Sequence, residues 1–123
     1  MTTKKIELLH SDHMNWLKEL NLMQDELKYF QDKLAHFAAL YFTTERENTV
    51  NNIRKKAIMF FYEIDELRYM IHLHEIFLSE EIENAKQADV DHCLEKDKLI
   101  LLKERFKSFK IETLDFIKQQ EQE

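Results

Sequence analysis

Apolar residues recur at alternating steps of three and four along three stretches of the chain, Ile6 to Tyr41, Val50 to Ala85 and His92 to Phe116. This spacing places one apolar stripe along one face of an α-helix in each stretch. Polar segments at residues 43–49 and 84–91 separate the stripes. The pattern therefore predicts three helices, over about residues 4–42, 45–86 and 90–119.

The ends of these helices carry N-cap signals. Thr44 and Glu47 have the spacing of a capping box, and Asp89 and Asp91 are candidate N-caps for the third helix. Because short connections make successive helices antiparallel, the chain is predicted to be all-α, a single up-down-up three-helix bundle over residues 1–123 with coiled-coil-like packing. The predicted core includes Leu27, Phe30, Phe60, Ile64, Leu102 and Phe106.

Composition strengthens the helical prediction. The chain contains neither glycine nor proline, the residues that tight β-turns most often need for their positive or fixed φ angles. Charged residues make up 34% of it, which is typical of helices with hydrated outer faces. A β architecture is therefore not expected.

The charge balance argues against a nucleic-acid-binding protein, because the formal net charge at pH 7 is −6. One segment is locally basic, and its cations are Lys96, Lys98, Lys103, Arg105, Lys107 and Lys110. The first and third helices should run parallel, and the heptad register then predicts ion pairs of Asp12 with Lys103 and of Glu19 with Lys110. The basic segment is thus predicted to be neutralised within the molecule.

The cellular setting predicted from the sequence is the cytoplasm. The chain shows no apolar run suited to a signal peptide or to a membrane span, so no membrane contact is expected. Cys93 is the only cysteine, which leaves no disulfide framework within the chain.

Five polar residues interrupt the apolar stripes: His13, His74, Glu81, His92 and Glu95. All five are predicted to lie at the end of the bundle that carries the second turn. Imidazole and carboxylate together suit Zn, Fe or Mn ions, and helical bundles build such sites from facing helices. These residues are therefore candidate ligands for one or two divalent transition-metal ions.

His10 is a reserve candidate, since it lies one turn from His13. His36 and His72 are excluded because they fall away from the predicted cluster. The alternative explanation is structural, since histidines and glutamates at a hydrated bundle end can hydrogen-bond or ion-pair and fix the helix register.

Two resemblances follow from short motifs. The sequence LLHSDH at residues 8–13, followed by Trp16, resembles the opening of hemerythrin-like cation-binding domains, whose first helix supplies an early metal-binding histidine. That family has four helices and later His-x-x-x-Glu pairs, and no glutamate stands four positions after His72, His74 or His92. The chain more closely resembles small bacterial helical proteins with the motifs LH-x-x-H-x-x-W, IDEL, HE and DH, here at residues 9–16, 64–67, 74–75 and 91–92. This likeness spans all three predicted helices and implies no activity.

The leading functional prediction is a non-enzymatic structural or protein-interaction role. The chain shows no nucleophile–base motif and no glycine-rich phosphate loop. Ile58, Tyr62, Tyr69 and Ile76 form an apolar stripe on the second helix, on the side opposite the predicted core. A continuous apolar stripe usually marks an interface, and a symmetric homodimer is the simplest form, with a helical partner protein as the other. Transition-metal binding is the alternative function.

Overall fold

A computed structural model of the chain describes residues 1–41 and 43–121, and over these residues it consists of three long helices and no strand. Helix α1 spans Thr3–Leu40, α2 spans Thr44–Ser79 and α3 spans Ala85–Glu121. Each helix contacts both others, with α1 antiparallel to α2 and α2 antiparallel to α3. The predicted all-α three-helix bundle is confirmed. With 36 to 38 residues in each helix, the bundle is about 55 Å long.

Threonine hydroxyls cap the first two helices. The Thr2 side chain accepts a hydrogen bond from the Lys5 amide, and the Thr43 side chain accepts one from the Arg46 amide, each at 3.2 Å. The cap of α2 is therefore Thr43 and not the predicted Thr44. Phe42, the predicted last residue of the first helix, lies outside the described residues.

The second turn comes earlier than the sequence pattern predicts, because α2 ends at Ser79 and not near residue 86. Glu81 has a φ of 54°, in the left-handed region, and the Ile82 amide donates to the Phe77 carbonyl at 3.0 Å. These are features of a Schellman C-cap, here built without glycine. The Asn84 side chain then accepts a hydrogen bond from the Gln87 amide at 2.8 Å and starts α3. Asn84, and not Asp89 or Asp91, is the N-cap.

The three apolar stripes meet along one seam that fills the bundle. Every predicted core residue is buried, with exposures of 0–8%. The central cluster packs Phe60 of α2 against Phe106 and Phe109 of α3, with ring centroids 5.5 and 5.2 Å apart. On the outside, none of the described helices combines the length and the apolar character needed to cross a bilayer.

Ion pairs between α1 and α3 show that the predicted register is wrong by one heptad. Lys103 pairs with Glu19 at 3.2 Å and Lys110 with Glu26 at 2.7 Å, whereas the predicted partners were Asp12 and Glu19. The early second turn shifts α3 along α1, and a seven-residue shift preserves the heptad pattern. The basic segment does find acidic partners within the molecule, although each exposed pair contributes only about 0–1 kcal/mol.

Replacing Phe60 with alanine is expected to lower the free energy of unfolding by about 3–5 kcal/mol, through lost burial and a cavity at the centre of the seam. Urea unfolding followed by circular dichroism measures the change. Met59→Ala is the matched control, because Met59 is the neighbouring residue and is 57% exposed. A loss below about 1 kcal/mol for Phe60→Ala would contradict the core assignment.

Candidate metal centre

Four polar side chains replace apolar ones where the seam approaches the second turn. His13 comes from α1, His74 from α2, and His92 and Glu95 from α3. Each stands at a stripe position, so helix periodicity turns all four side chains inward. His13, His74 and Glu95 are 0–3% exposed, and His92 is half-buried.

The inward-facing atoms of these side chains lie close together. His13 Nε2 is 2.7 Å from Glu95 Oε2 and 3.3 Å from His92 Nδ1. His74 Nδ1 is 2.6 Å from Glu95 Oε1. One ligand atom from each of the four residues lies within 4.8 Å of the others. Four ligands around a tetrahedral Zn²⁺ with bonds of about 2.0–2.1 Å lie about 3.3 Å apart, so the four atoms are near the spacing that one ion requires.

Carboxylates outside the cluster hold the far side of two of the rings. His13 Nδ1 donates to Glu75 Oε1 at 2.7 Å, and His92 Nε2 donates to Asp12 Oδ2 at 2.9 Å. Because an ionised carboxylate only accepts, each of these outer nitrogens carries a proton. In the neutral imidazole the other nitrogen then presents its lone pair to the cluster. Carboxylates orient metal-binding histidines in this way.

His74 differs from the other two histidines. Neither of its ring nitrogens has a partner in hydrogen-bond geometry, although the side chain is 3% exposed. Its Nδ1 is close to Glu95 without the angle of a hydrogen bond, and its Nε2 lies 3.4 Å from Glu83 Oε2. A buried nitrogen without a hydrogen bond costs free energy, so a further partner at either nitrogen would stabilise His74.

The structure brings together four of the five residues that the sequence predicts as ligands, His13, His74, His92 and Glu95. Glu81 is the exception: it is exposed in the turn, because α2 ends before it and its backbone is left-handed. The reserve residue His10 is exposed and bonds Glu75 Oε2 through Nδ1 at 2.9 Å, so it supports the outer carboxylate and not the cluster.

Sequence reasoning missed Asp12, Glu75, Glu83 and Asp91. These residues lie beside the stripes and not on them. Asp12 and Glu75 directly adjoin His13 and His74 in the sequence, but adjacency alone does not distinguish them from acidic residues that meet only solvent.

An aromatic side chain closes one side of the cluster. The Trp16 ring centroid lies 4.5 Å from that of His92 and 5.4 Å from that of His13. Trp16 is the only tryptophan of the chain, so its fluorescence reports on this site alone.

The buried charges shift three pKa values. Burial favours the neutral form of Glu95, but its contacts with His13 and His74 outweigh burial and lower its pKa. Burial of His74 likewise opposes its charge, but Glu95, followed by the charges of Glu83 and Asp91, outweighs it and raises the pKa of His74. Burial, the hydrogen bond to Asp91 and that residue's negative charge raise the pKa of Glu83 to about 7.

Three imidazoles and a carboxylate that converge in a buried space form a ligand set suited to a divalent transition metal. No known protein family, curated protein or solved structure matches the chain. The functional conclusion therefore depends on the geometry of this site.

In the presence of a chelator, the protein is expected to lose stability as the pH rises from 6 to 8. The pKa values of Glu83 and His74 are higher in the folded than in the unfolded chain, so the folded state binds more protons. Their stabilising effect is complete below the unfolded values and is lost as the pH passes the folded ones, which for Glu83 means about 7.

Thermal melts at pH 6, 7 and 8 in EDTA measure this trend. Glu83→Gln should flatten it, and Glu81→Gln, an exposed residue of the same turn, should leave it unchanged. A melting temperature that rises with pH in EDTA would contradict the assignment of these two groups.

Proposed function

We propose that this protein binds a divalent transition-metal ion between its three helices, through His13, His74, His92 and Glu95. The observation that carries the proposal is the pairing of buried histidines with outer carboxylates. Glu75 and Asp12 accept hydrogen bonds from the outer N–H groups of His13 and His92, so that in the neutral imidazoles the inner nitrogens direct lone pairs at one another and at Glu95. Lone pairs and a carboxylate that converge in a buried space repel one another unless a cation lies among them.

A purely structural cluster satisfies fewer of these atoms. It needs His13 as an imidazolium that donates from Nδ1 to Glu75 and from Nε2 to Glu95. Both ring protons of His13 are then used. The nitrogens of His74 face Glu95 and Glu83 at 2.6 and 3.4 Å but have no hydrogen bond, and Nδ1 of His92 has only the contact with His13 Nε2 at 3.3 Å. Each unsatisfied buried group costs about 1–3 kcal/mol. A metal ion gives all four inner groups a partner, which favours the metal centre.

The ligand set indicates the class of ion. Three nitrogens and one carboxylate match Zn²⁺, Fe²⁺, Mn²⁺ and similar ions, whereas Mg²⁺ and Ca²⁺ prefer oxygen ligands. The ligands come from all three helices, so a bound ion links α1, α2 and α3 near the second turn. A structural role for the ion, without catalysis, is the function proposed for this centre.

Protein purified without a His tag is expected to contain about one equivalent of a transition metal by elemental analysis. Addition of Zn²⁺ to the metal-free protein should raise its melting temperature, since ligand at 100 times its Kd adds about 2.7 kcal/mol of stability. Cu²⁺ should quench Trp16 fluorescence, because Trp16 lies against two of the histidines.

Asp12→Asn tests the outer carboxylate that carries the proposal. Its side chain is 55% exposed, so the fold should tolerate the change, while affinity for Zn²⁺ should fall about 10–100-fold. Asp25→Asn, an exposed residue of the same helix, is the control. His36→Gln and His72→Gln should also bind normally, since both histidines are exposed and lie outside the cluster. Metal-free protein that neither binds Zn²⁺ nor is stabilised by it would leave the buried imidazolium as the explanation.

We also propose that the chain forms a homodimer through the outer stripe of α2. Ile58, Tyr62, Tyr69 and Ile76 are 62%, 73%, 65% and 49% exposed. The bundle therefore leaves these side chains uncovered along five turns of one helix. Asp65 and His72 lie on the same face between them, but four large apolar groups within five turns favour burial against another surface.

The order of residues along this stripe is self-complementary. A twofold axis at the level of Leu67, on the outer side of α2, places two copies of α2 antiparallel. Ile58 of one copy then lies beside Ile76 of the other. Tyr69 of one copy then lies beside Asp65 of the other, whose carboxylate can accept a hydrogen bond from the Tyr69 hydroxyl. The exposed Lys55 of one copy lies near Glu80 of the other. The match of Ile58 with Ile76, of Tyr69 with Asp65 and of Lys55 with Glu80 favours a second copy over an unrelated helical partner.

Light scattering is expected to give the mass of a dimer at high micromolar concentration. The double variant Tyr69→Glu, Ile76→Glu should be a monomer. A carboxylate at position 69 would face Asp65 of the other copy, and one at position 76 would face the apolar Ile58. Leu22→Glu, Tyr29→Glu is the matched control, since these side chains on α1 have the same seven-residue spacing and are 63% and 60% exposed. A monomeric wild-type protein would reject self-association.

A further inference from the structure

We propose a second cation site next to the first, formed by His74, Glu83 and Asp91, in which the ring of His74 lies between the two ions. This inference rests on the proposed inner centre and extends it. The starting point is the difference between His74 and the other two histidines. The outer nitrogens of His13 and His92 donate to carboxylates at 2.7 and 2.9 Å, whereas that of His74 has no hydrogen-bond partner.

The atoms that lack partners point to this place. The buried and unpaired side-chain atoms within the described part of the chain include both nitrogens of His74 and Oε2 of Glu83. His74 Nε2 and Glu83 Oε2 lie 3.4 Å apart, a separation usual for two ligands of one ion and long for a hydrogen bond. One ligand atom each from His74, Glu83 and Asp91 lies within 4.8 Å of the others.

Glu83 and Asp91 bring two carboxyl groups together beside His74. Two carboxylates this close together repel one another unless a positive charge lies beside them. The other neighbour of Asp91 is the neutral side chain of Gln87, whose Nε2 donates to Oδ1 at 3.0 Å. A divalent cation at this position would neutralise both carboxylates.

The surroundings distinguish this site from the inner one. A cavity of about 130 Å³ opens between α2 and α3, and His74, Asp91 and Glu95 are part of its lining. It has room for several waters, so an ion held by three protein ligands can complete its coordination with solvent. Three of the four inner ligands are fully buried, whereas in the second site only His74 is, and Glu83 and Asp91 are half-buried. The second ion should therefore bind more weakly and exchange more readily.

Binding of both ions makes His74 a bridge. Nδ1 binds the inner ion, and Nε2 must lose its proton to bind the outer one, so the ring becomes an imidazolate with a lone pair on each nitrogen. The proton from Nε2 passes to solvent. The site then holds two dications and the anionic groups of His74, Glu83, Asp91 and Glu95.

The test counts equivalents of metal. Zn²⁺ titrated into metal-free wild-type protein by calorimetry should give two equivalents, the second weaker than the first. Glu83→Gln and, independently, Asp91→Asn should each retain the first equivalent and lose the second, with circular dichroism showing an unchanged helix content. Glu81→Gln should retain both, because it removes a carboxylate from the same turn outside the site.

Cu²⁺-loaded protein gives a second readout. Two Cu²⁺ ions joined by an imidazolate couple magnetically, so the electron paramagnetic resonance signal per copper should be weak in the wild type and full in Glu83→Gln. One equivalent in the wild type, two equivalents in Glu83→Gln, or two uncoupled copper signals would each overturn the second site and leave the inner one intact. No binding at all would overturn both.

Discussion

Burial of the Glu95 carboxylate is the constraint on which the arrangement of this bundle end depends. The side chain lies 2.7 Å from His13 Nε2 and 2.6 Å from His74 Nδ1, so its two oxygens face α1 and α2 from α3. A buried carboxylate without compensation is strongly unfavourable. The three helices must therefore meet at this level and in this rotation, whereas an apolar seam would tolerate a slide along its length. The buried charge of Glu95 therefore fixes the level and rotation of the three helices, which the hydrophobic core leaves undetermined.

The second turn also places an acidic side chain at this site. The left-handed residue Glu81 ends α2 without glycine and turns the chain sharply, so that Glu83 points back to His74 and Asn84 starts α3. A longer α2 would carry Glu83 along the helix and away from the cluster. The strained backbone thus places an anionic group beside a buried histidine.

The proposed metal centre and the proposed dimer surface lie on different sides of α2. His74 faces the seam, and Tyr69 and Ile76 face outward from the same helix. An ion that links α2 to its two neighbours would also hold the outer stripe in one orientation. Metal binding and self-association can therefore occur together on one helix. A substitution at one of these two surfaces does not contact the other.

The sequence alone determined the helices, the core and most of the inner cluster. Apolar residues spaced alternately three and four apart identify the buried face of an amphipathic helix. Leu27, Phe60 and His13 are therefore recognised as inward-facing without any tertiary information. Polar residues on such a face stand out because they are few.

Only the tertiary structure decided which carboxylates lie outside the cluster and which glutamate of the turn lies beside His74. It also decided the register of α3. Asp12 and Glu75 are two of 24 acidic residues, and nothing in their spacing separates them from those that meet only solvent. Glu83, and not Glu81, lies beside His74, because a left-handed residue other than glycine leaves no local signal in the sequence. The register of α3 differs from the prediction by one heptad because a shift of seven residues presents the same apolar face. Only the pairing of specific charges, such as Lys103 with Glu19 and Glu95 with His13, distinguishes the two registers.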